Sequence, residues 1–103
     1  MGHVDDRGRI VSRRRAGDSL TLGIALPVSL AALLVPKGPI AVDGVSLTVD
    51  LPVPRTRRVP GTDCFSVHLV PHTLAATTLG VKRAGEKVNL EIDPVAKYLR
   101  GML

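Results

Sequence analysis

The stretch VPKGPIAVDGVSLTV, residues 35–49, decides the fold. Its Asp-Gly pair at 43–44 stands between two β-prone runs, which is a strong hairpin signal because both turn positions need a positive φ. In the second arm, apolar residues alternate with Ser46 and Thr48, so the two hydroxyls share one face of a strand. The stretch therefore predicts a hairpin with one apolar face and one hydroxyl-bearing face.

Similar patterns flank this hairpin. Alternation or β-branched runs predict strands at residues 9–13, 19–26, 65–70 and 88–92, with Leu20, Leu22, Ile24 and Leu26 on one face of the second. Short helical stretches are predicted at residues 28–34 and 72–77, a turn at 16–18, and a long exposed loop at 50–64, where Pro and Gly are frequent. Strands this short and closely spaced favour a small closed barrel, because closure removes exposed edges.

Composition limits the fold and the compartment. The chain has 103 residues, enough for one domain, and 45% of them are hydrophobic but only 2% aromatic. We therefore expect an aliphatic core. The single cysteine, Cys64, allows no internal disulfide and cannot complete a zinc site alone. No apolar run approaches the length of a membrane span, and the N-terminus lacks the apolar segment of a signal peptide, so we expect a cytoplasmic protein without a membrane partner.

The positive charge raises the alternative of nucleic-acid binding. The formal net charge is +5, mostly from arginines at 13–15 and at 55, 57 and 58. Both clusters stand beside turn-forming residues, so we expect them in solvated loops. Single-strand binders combine such charge with aromatic stacking platforms, and the two aromatic residues of this chain, Phe65 and Tyr98, argue against that function.

Other chemistries have weaker support. His68 and His72 are four residues apart, but Pro71 between them and the strand pattern at His68 argue against a helical metal site. No serine lies in a nucleophile-elbow motif, and no dinucleotide or phosphate-loop motif is present. Polar groups at strand ends, among them Lys37, Ser46 and Thr48, can converge at a barrel mouth and bind a flat polar ligand, although surface hydroxyls and loop caps are the simpler interpretation.

The order of several motifs favours the ligand-binding interpretation over surface hydroxyls and loop caps. GHVDDRGRIVS, VPKGPIAVDGVSLTV, FSVHLVPHTLAATTLG and GEKVNLEIDPVAKYL resemble the C-terminal repeat of riboflavin synthase, the α-chain, lumazine-binding type. The resemblance implies an all-β fold, a small six-stranded Greek-key closed barrel with short helical turns over residues 1–93. It also implies a C-terminal helix over residues 94–103.

The resemblance also implies a function. Each barrel of the family binds one 6,7-dimethyl-8-ribityllumazine, and two of these molecules exchange a four-carbon unit to give riboflavin and 5-amino-6-ribitylaminouracil, without a metal or organic cofactor. This chain lacks the first barrel, so the resemblance implies a second barrel as partner, from self-association or from a separate chain. The alternative is a lumazine- or flavin-binding module without catalysis.

Site residues follow from the matching positions. The resemblance assigns proton transfer or catalysis to His3, Ser46 and Thr48. It assigns substrate contacts to Gly2, His3, Val4, Lys37, Ser46, Leu47, Thr48, Leu69, Val70, Pro71, His72, Thr73 and Leu74. For Asp43, in the hairpin turn, and Asp93, before the terminal helix, turn geometry or helix capping is at least as well supported as a catalytic role.

Overall fold

The computed structural model of the chain describes residues 6–51 and 62–92. Six strands are present in these ranges: β1 (Asp6–Ala16), β2 (Ser19–Pro27), β3 (Pro39–Val42), β4 (Val45–Thr48), β5 (Thr62–Leu69) and β6 (Lys87–Ile92). Two short helices, α1 (Val28–Ala31) and α2 (Pro71–Ala76), and a 3-10 turn (Thr78–Gly80) connect them. The predicted C-terminal helix, residues 94–103, lies outside the described residues.

The strands form one antiparallel sheet in the order β4-β3-β6-β1-β2-β5. The two strands at the ends of this order meet at one point, where Asp50, just after β4, and Ser66 of β5 exchange two backbone hydrogen bonds of 2.9 and 3.0 Å. Within the described ranges, no ladder of paired strands extends this bridge. The six-stranded, mostly β fold is confirmed, and closure of the barrel stays a prediction.

The core follows from the alternation of apolar residues along the strands. Inward side chains of five strands pack with residues from the connections into one aliphatic cluster that includes a single aromatic ring, that of Phe65. Its fully buried members include Ile10, Leu20, Leu22, Ile24, Leu26, Val42, Val49, Val67, Leu69, Leu79 and Leu90. The predicted aliphatic core and the inward face of β2 are thus confirmed.

The decisive hairpin forms as the sequence predicts. β3 and β4 pair in register from Pro39 opposite Thr48 to Val42 opposite Val45. Asp43 and Gly44 have φ values of 49° and 80°, the left-handed geometry that this tight turn requires. The hydroxyls of β4 consequently face outward.

Three sequence predictions of local structure were wrong. β1 extends well beyond residues 9–13, because it pairs with β2 along most of its length and with β6 at its start. The first helix ends at Ala31 rather than at residue 34. The loop predicted at 50–64 is shorter at both ends, because Asp50 bridges to Ser66 and β5 already begins at Thr62.

Arg13 also departs from its prediction. It lies in β1, as the strand predicted at 9–13 requires, but it is not solvated as expected for the arginine cluster. Its guanidinium donates hydrogen bonds to the carbonyl oxygens of Lys82 at 2.7 Å and Gly80 at 2.8 Å. These carbonyls belong to the 3-10 turn and the residues that follow it, so this arginine fixes the segment after α2. Gly80 itself packs so closely that an added Cβ would lie 2.1 Å from the Leu74 carbonyl oxygen of α2.

Candidate functional site

A cleft of about 290 Å³ lies on the outward side of the sheet, where β4 approaches β5 and the start of α2. Several of its residues stand at strand ends, since Thr48 is the last residue of β4 and Val70 directly follows β5. Its lining residues combine hydroxyl, charged and apolar side chains: Lys37, Ser46, Leu47, Thr48, Asp50, His68, Val70 and Thr73.

β4 supplies one wall of the cleft. Its burial alternates, so Ser46 and Thr48 are exposed on the outward face while Leu47 is half-buried between them. A hydroxyl donates one hydrogen bond and accepts others, so this pair can meet both carbonyl and ring N–H groups of a ligand. The structure thus brings together the hydroxyls that the hairpin pattern placed on one strand face.

Lys37 reaches the cleft from the turn before β3. Its backbone has a φ of 65°, a left-handed conformation that is uncommon outside glycine. The hydrogen bond from its N–H to the Val49 carbonyl oxygen, 2.8 Å, holds this conformation against the end of β4. The side-chain ammonium then lies 2.9 Å from Oδ1 of Asp50.

A chain of polar contacts continues from this ammonium along the cleft. Oδ2 of Asp50 lies 2.8 Å from Nε2 of His68, and Nδ1 of His68 lies 2.9 Å from the Thr21 hydroxyl. Thr21 and His68 are cross-strand partners of β2 and β5 with outward side chains. Four residues from four separate parts of the chain thus form one connected network, Lys37-Asp50-His68-Thr21.

This network changes the acidity of its carboxyl group. The hydrogen bond with His68 and then the one from Lys37 hold the pKa of Asp50 below its ordinary value, and the charge of Lys37 acts in the same direction. Both effects favour the carboxylate over the protonated acid. Asp50 is therefore charged at neutral pH and accepts hydrogen bonds on both oxygens.

The segment after β5 supplies the opposite wall through Val70 and Thr73. Val70 is exposed on 55% of its surface, so its side chain is available for apolar contact in the cleft. Of the other predicted contacts here, Leu69 lies in the hydrophobic core and Leu74 packs against it. Pro71 and His72 are exposed and do not line the cleft.

Three sequence-predicted site residues, Gly2, His3 and Val4, lie outside the described residues, as does Asp93. Asp43 has a structural environment instead: its Oδ1 accepts from the Asn89 N–H at 2.7 Å, and its Oδ2 pairs with the Lys82 ammonium at 2.6 Å. Both contacts tie the hairpin turn to β6 and the segment before it, away from the cleft lining.

Asp50 and His68 are the cleft residues that the sequence did not predict. Asp50 continues the two-residue spacing of Ser46 and Thr48, and this signal was available from the alternation. The alternation could not predict His68 as a cleft residue, because the approach of β5 to β4 joins segments distant in sequence. In the described part of the chain, no three His, Cys, Asp or Glu side chains are grouped so that they could hold a metal ion.

A second groove of about 400 Å³ lies elsewhere on the sheet, along β1 and β2. Val11, Leu26 and Pro27 make it mainly apolar, and basic side chains stand at its border. Val11 is the extra residue of a β-bulge, where the register of β1 against β2 shifts between Ile10 and Ser12. The cleft at β4 differs in its hydroxyl and charged lining.

In residues 6–51 and 62–92, no helix is long and apolar enough to cross a membrane. The fold and the cleft define an antiparallel β domain with a polar, hydroxyl-lined cleft on its outward face. Comparison with known families makes this specific: the model of the lumazine binding domain matches residues 1–93. The chain therefore belongs to the lumazine-binding-domain family, which confirms the resemblance noted from its sequence motifs.

Curated relatives are riboflavin synthases. The chain is 43% identical over 103 residues to that of Mycobacterium tuberculosis (strain ATCC 25618 / H37Rv), covering 100% of this chain and 49% of the relative. It is 40% identical over 100 residues to that of Brucella abortus (strain 2308), covering 95% and 45%. The chain thus spans about half the length of the curated relatives it matches.

Solved structures show the same similarity. The crystal structure of LumP complexed with 6,7-dimethyl-8-(1'-D-ribityl) lumazine matches with a TM-score of 0.73 and 28% identity, covering 91% of this chain and 47% of LumP. LumP complexed with flavin mononucleotide matches with a TM-score of 0.75 and 28% identity, covering 91% and 49%.

We predict that the pKa of Asp50, measured by NMR titration of its carboxyl group, lies below that of an ordinary Asp and rises in His68→Ala. His72→Ala is the matched control, because this exposed histidine is outside the cleft, and it should leave the value unchanged. An ordinary pKa for Asp50, or equal effects of the two substitutions, would contradict the network.

The lowered pKa of Asp50 makes the stability of the fold depend on pH. Because the pKa of Asp50 is lower in the folded chain than in the unfolded one, its contacts stabilise the fold above the unfolded value of about 4. This contribution is lost as the pH falls through the lowered pKa. The difference in thermal stability between the wild type and Asp50→Asn should therefore shrink at acidic pH.

Proposed function

We propose that this chain is a lumazine-binding domain of a riboflavin synthase, a transferase, and that it binds 6,7-dimethyl-8-ribityllumazine in the cleft between β4 and α2. The observation that carries the proposal is the convergence of Lys37, Ser46, Thr48 and Thr73 on one cleft. Membership of the lumazine-binding family and the riboflavin synthase relatives support it.

Each wall of the cleft has a role in this proposal. The hydroxyls of Ser46 and Thr48 hydrogen-bond the polar edge of the pteridine ring, and Thr73 bonds the ring or the ribityl chain from the opposite wall. Leu47 and Val70 provide apolar contact for the flat ring. Lys37 supplies a charged donor to the polar groups of the ligand.

The chemistry suits a polar pocket that holds the ring in place. The C7 methyl of the lumazine is acidic because its anion delocalises into the pteridine, so deprotonation needs a positioned base rather than a metal. We assign proton transfer to His3 with Ser46 and Thr48 at the ring. One lumazine then donates a four-carbon unit to the other, which gives riboflavin and 5-amino-6-ribitylaminouracil. Holding two substrates in register replaces a bimolecular encounter.

The reaction needs two ligands, and this chain offers one cleft of the required kind in its described part. We therefore propose that a second lumazine-binding barrel, from another copy or an N-terminal-type chain, faces this one during turnover. The half-length match to the riboflavin synthases supports this requirement. We also propose that the sheet closes into a Greek-key barrel across the Asp50-Ser66 bridge, which joins its two end strands.

A second candidate function has an observation of its own. The similar LumP structures contain bound riboflavin, lumazine or flavin mononucleotide. A binding module that holds a lumazine or flavin without converting it would use the same cleft. The two functions differ in whether a second substrate stacks against the first.

We predict that the purified chain binds 6,7-dimethyl-8-ribityllumazine with one ligand per chain, as measured by fluorescence titration. Ser46→Ala and Thr48→Ala should each weaken binding by about 0.5–3 kcal/mol, because each removes a hydrogen bond to the ligand. Ser29→Ala is the matched control, since this exposed serine of α1 is outside the cleft, and it should leave the affinity unchanged.

Absence of a response at saturating ligand would contradict both candidate functions. Binding that is equally unaffected by all three serine and threonine substitutions would place the ligand elsewhere on the chain.

Turnover measured across protein concentration separates the two functions. We predict that riboflavin formation rises faster than linearly with the concentration of this chain, because the active unit contains two barrels. Addition of a separate N-terminal-type barrel should produce activity if self-association does not. Undetectable riboflavin formation under both conditions, with lumazine still bound, would contradict catalysis and support the binding module.

A further inference from the structure

Among the described residues that line the cleft, Asp50 is the one acidic residue, and it directly contacts the Lys37 ammonium. Its Oδ1 lies 2.9 Å from the Lys37 ammonium, and its Oδ2 lies 2.8 Å from Nε2 of His68. The carboxylate thus offsets the charge of Lys37. With a neutral His68, the charges of the described lining residues sum to zero.

The backbone keeps this pair in place. Two hydrogen bonds with Ser66 fix Asp50 from one side, and the Lys37 N–H bonds the Val49 carbonyl oxygen from the other. The left-handed φ of Lys37 is an uncommon conformation that persists because these neighbours hold it. The backbones of both residues are therefore held in the cleft wall, from which their side chains meet.

A carboxylate in this position interacts differently with ribityl ligands that carry a phosphate and with those that do not. It only accepts hydrogen bonds, so it can bond a ribityl hydroxyl but not the oxygens of a phosphate dianion. The cleft has a volume of about 290 Å³. Groups bound in it therefore lie within about one screening length, roughly 8 Å at physiological ionic strength, of its charged side chains. A phosphate beside Asp50 is therefore within reach of the carboxylate's negative charge, while the paired Lys37 ammonium offers it no net attraction.

We infer that Asp50 is a specificity-determining residue, which by neutralising Lys37 makes the cleft select ribityl ligands without a phosphate over phosphorylated ones. The inference rests on the proposed function, because it concerns the ligands of the same cleft. The Asp50 carboxylate disfavours phosphorylated ligands, whereas the cleft hydroxyls favour binding of ribityl ligands in general.

The test compares riboflavin with flavin mononucleotide, which differ by the phosphate. We expect the wild type to bind riboflavin more tightly. In Asp50→Asn, affinity for flavin mononucleotide relative to riboflavin should rise about three- to tenfold, because the repulsion is removed and Lys37 becomes available to the phosphate. The gain should shrink at high salt, which a merely structural effect of the substitution would not produce.

Three further variants make the test specific. Glu86→Gln changes the net charge equally at a residue outside the cleft lining, and it should leave the ratio unchanged. Lys37→Met added to Asp50→Asn should cancel the gain. Asp50→Ser removes the charge without introducing an amide and should change the ratio in the same direction, which covers the case in which the asparagine variant fails to fold.

A wild type that already prefers flavin mononucleotide would overturn the inference, as would a ratio that does not change in the Asp50 variants or that changes equally in Glu86→Gln. In these outcomes riboflavin still binds, so the proposed function stands. If the wild type binds neither lumazine nor riboflavin, the proposed function fails and the inference fails with it.

Discussion

The two backbone hydrogen bonds between Asp50 and Ser66 determine where the hydroxyl-lined cleft forms. They join the strands at opposite ends of the sheet order, so that the hydroxyl face of β4 lies beside the outward face of β5. Without this contact, Ser46 and Thr48 would face solvent at a sheet edge, and His68 would have no carboxylate partner. The bridge also places Asp50 itself in the cleft wall.

The hydrophobic core and the polar cleft lie on opposite faces of the sheet. The inward face is an aliphatic cluster, whose burial of apolar surface supplies most of the driving force for folding. Among the described residues, none of the buried core members is polar. The outward face therefore carries its hydroxyl and charged groups without a desolvation cost in the core, and cleft substitutions can alter binding while the core stays packed.

The sequence predicted features that depend on local pattern, and it failed where distant segments meet. The hairpin at 43–44, the inward face of β2 and the outward pair Ser46 and Thr48 all follow from alternation and turn chemistry. The Asp50-His68 contact does not, because it requires the approach of β4 to β5. Arg13 was expected to be solvated for the same reason: its carbonyl partners are more than sixty residues away.

The central claim is that the hydroxyl-lined cleft at β4 holds the ribityl pteridine, and NMR shift mapping with 6,7-dimethyl-8-ribityllumazine tests it most directly. The account predicts that the largest amide shifts on ligand addition occur at Ser46, Thr48, Asp50 and Thr73. It predicts small shifts along the apolar groove at Val11 and Leu26. The largest shifts in that groove, or shifts spread evenly over the sheet, would contradict it.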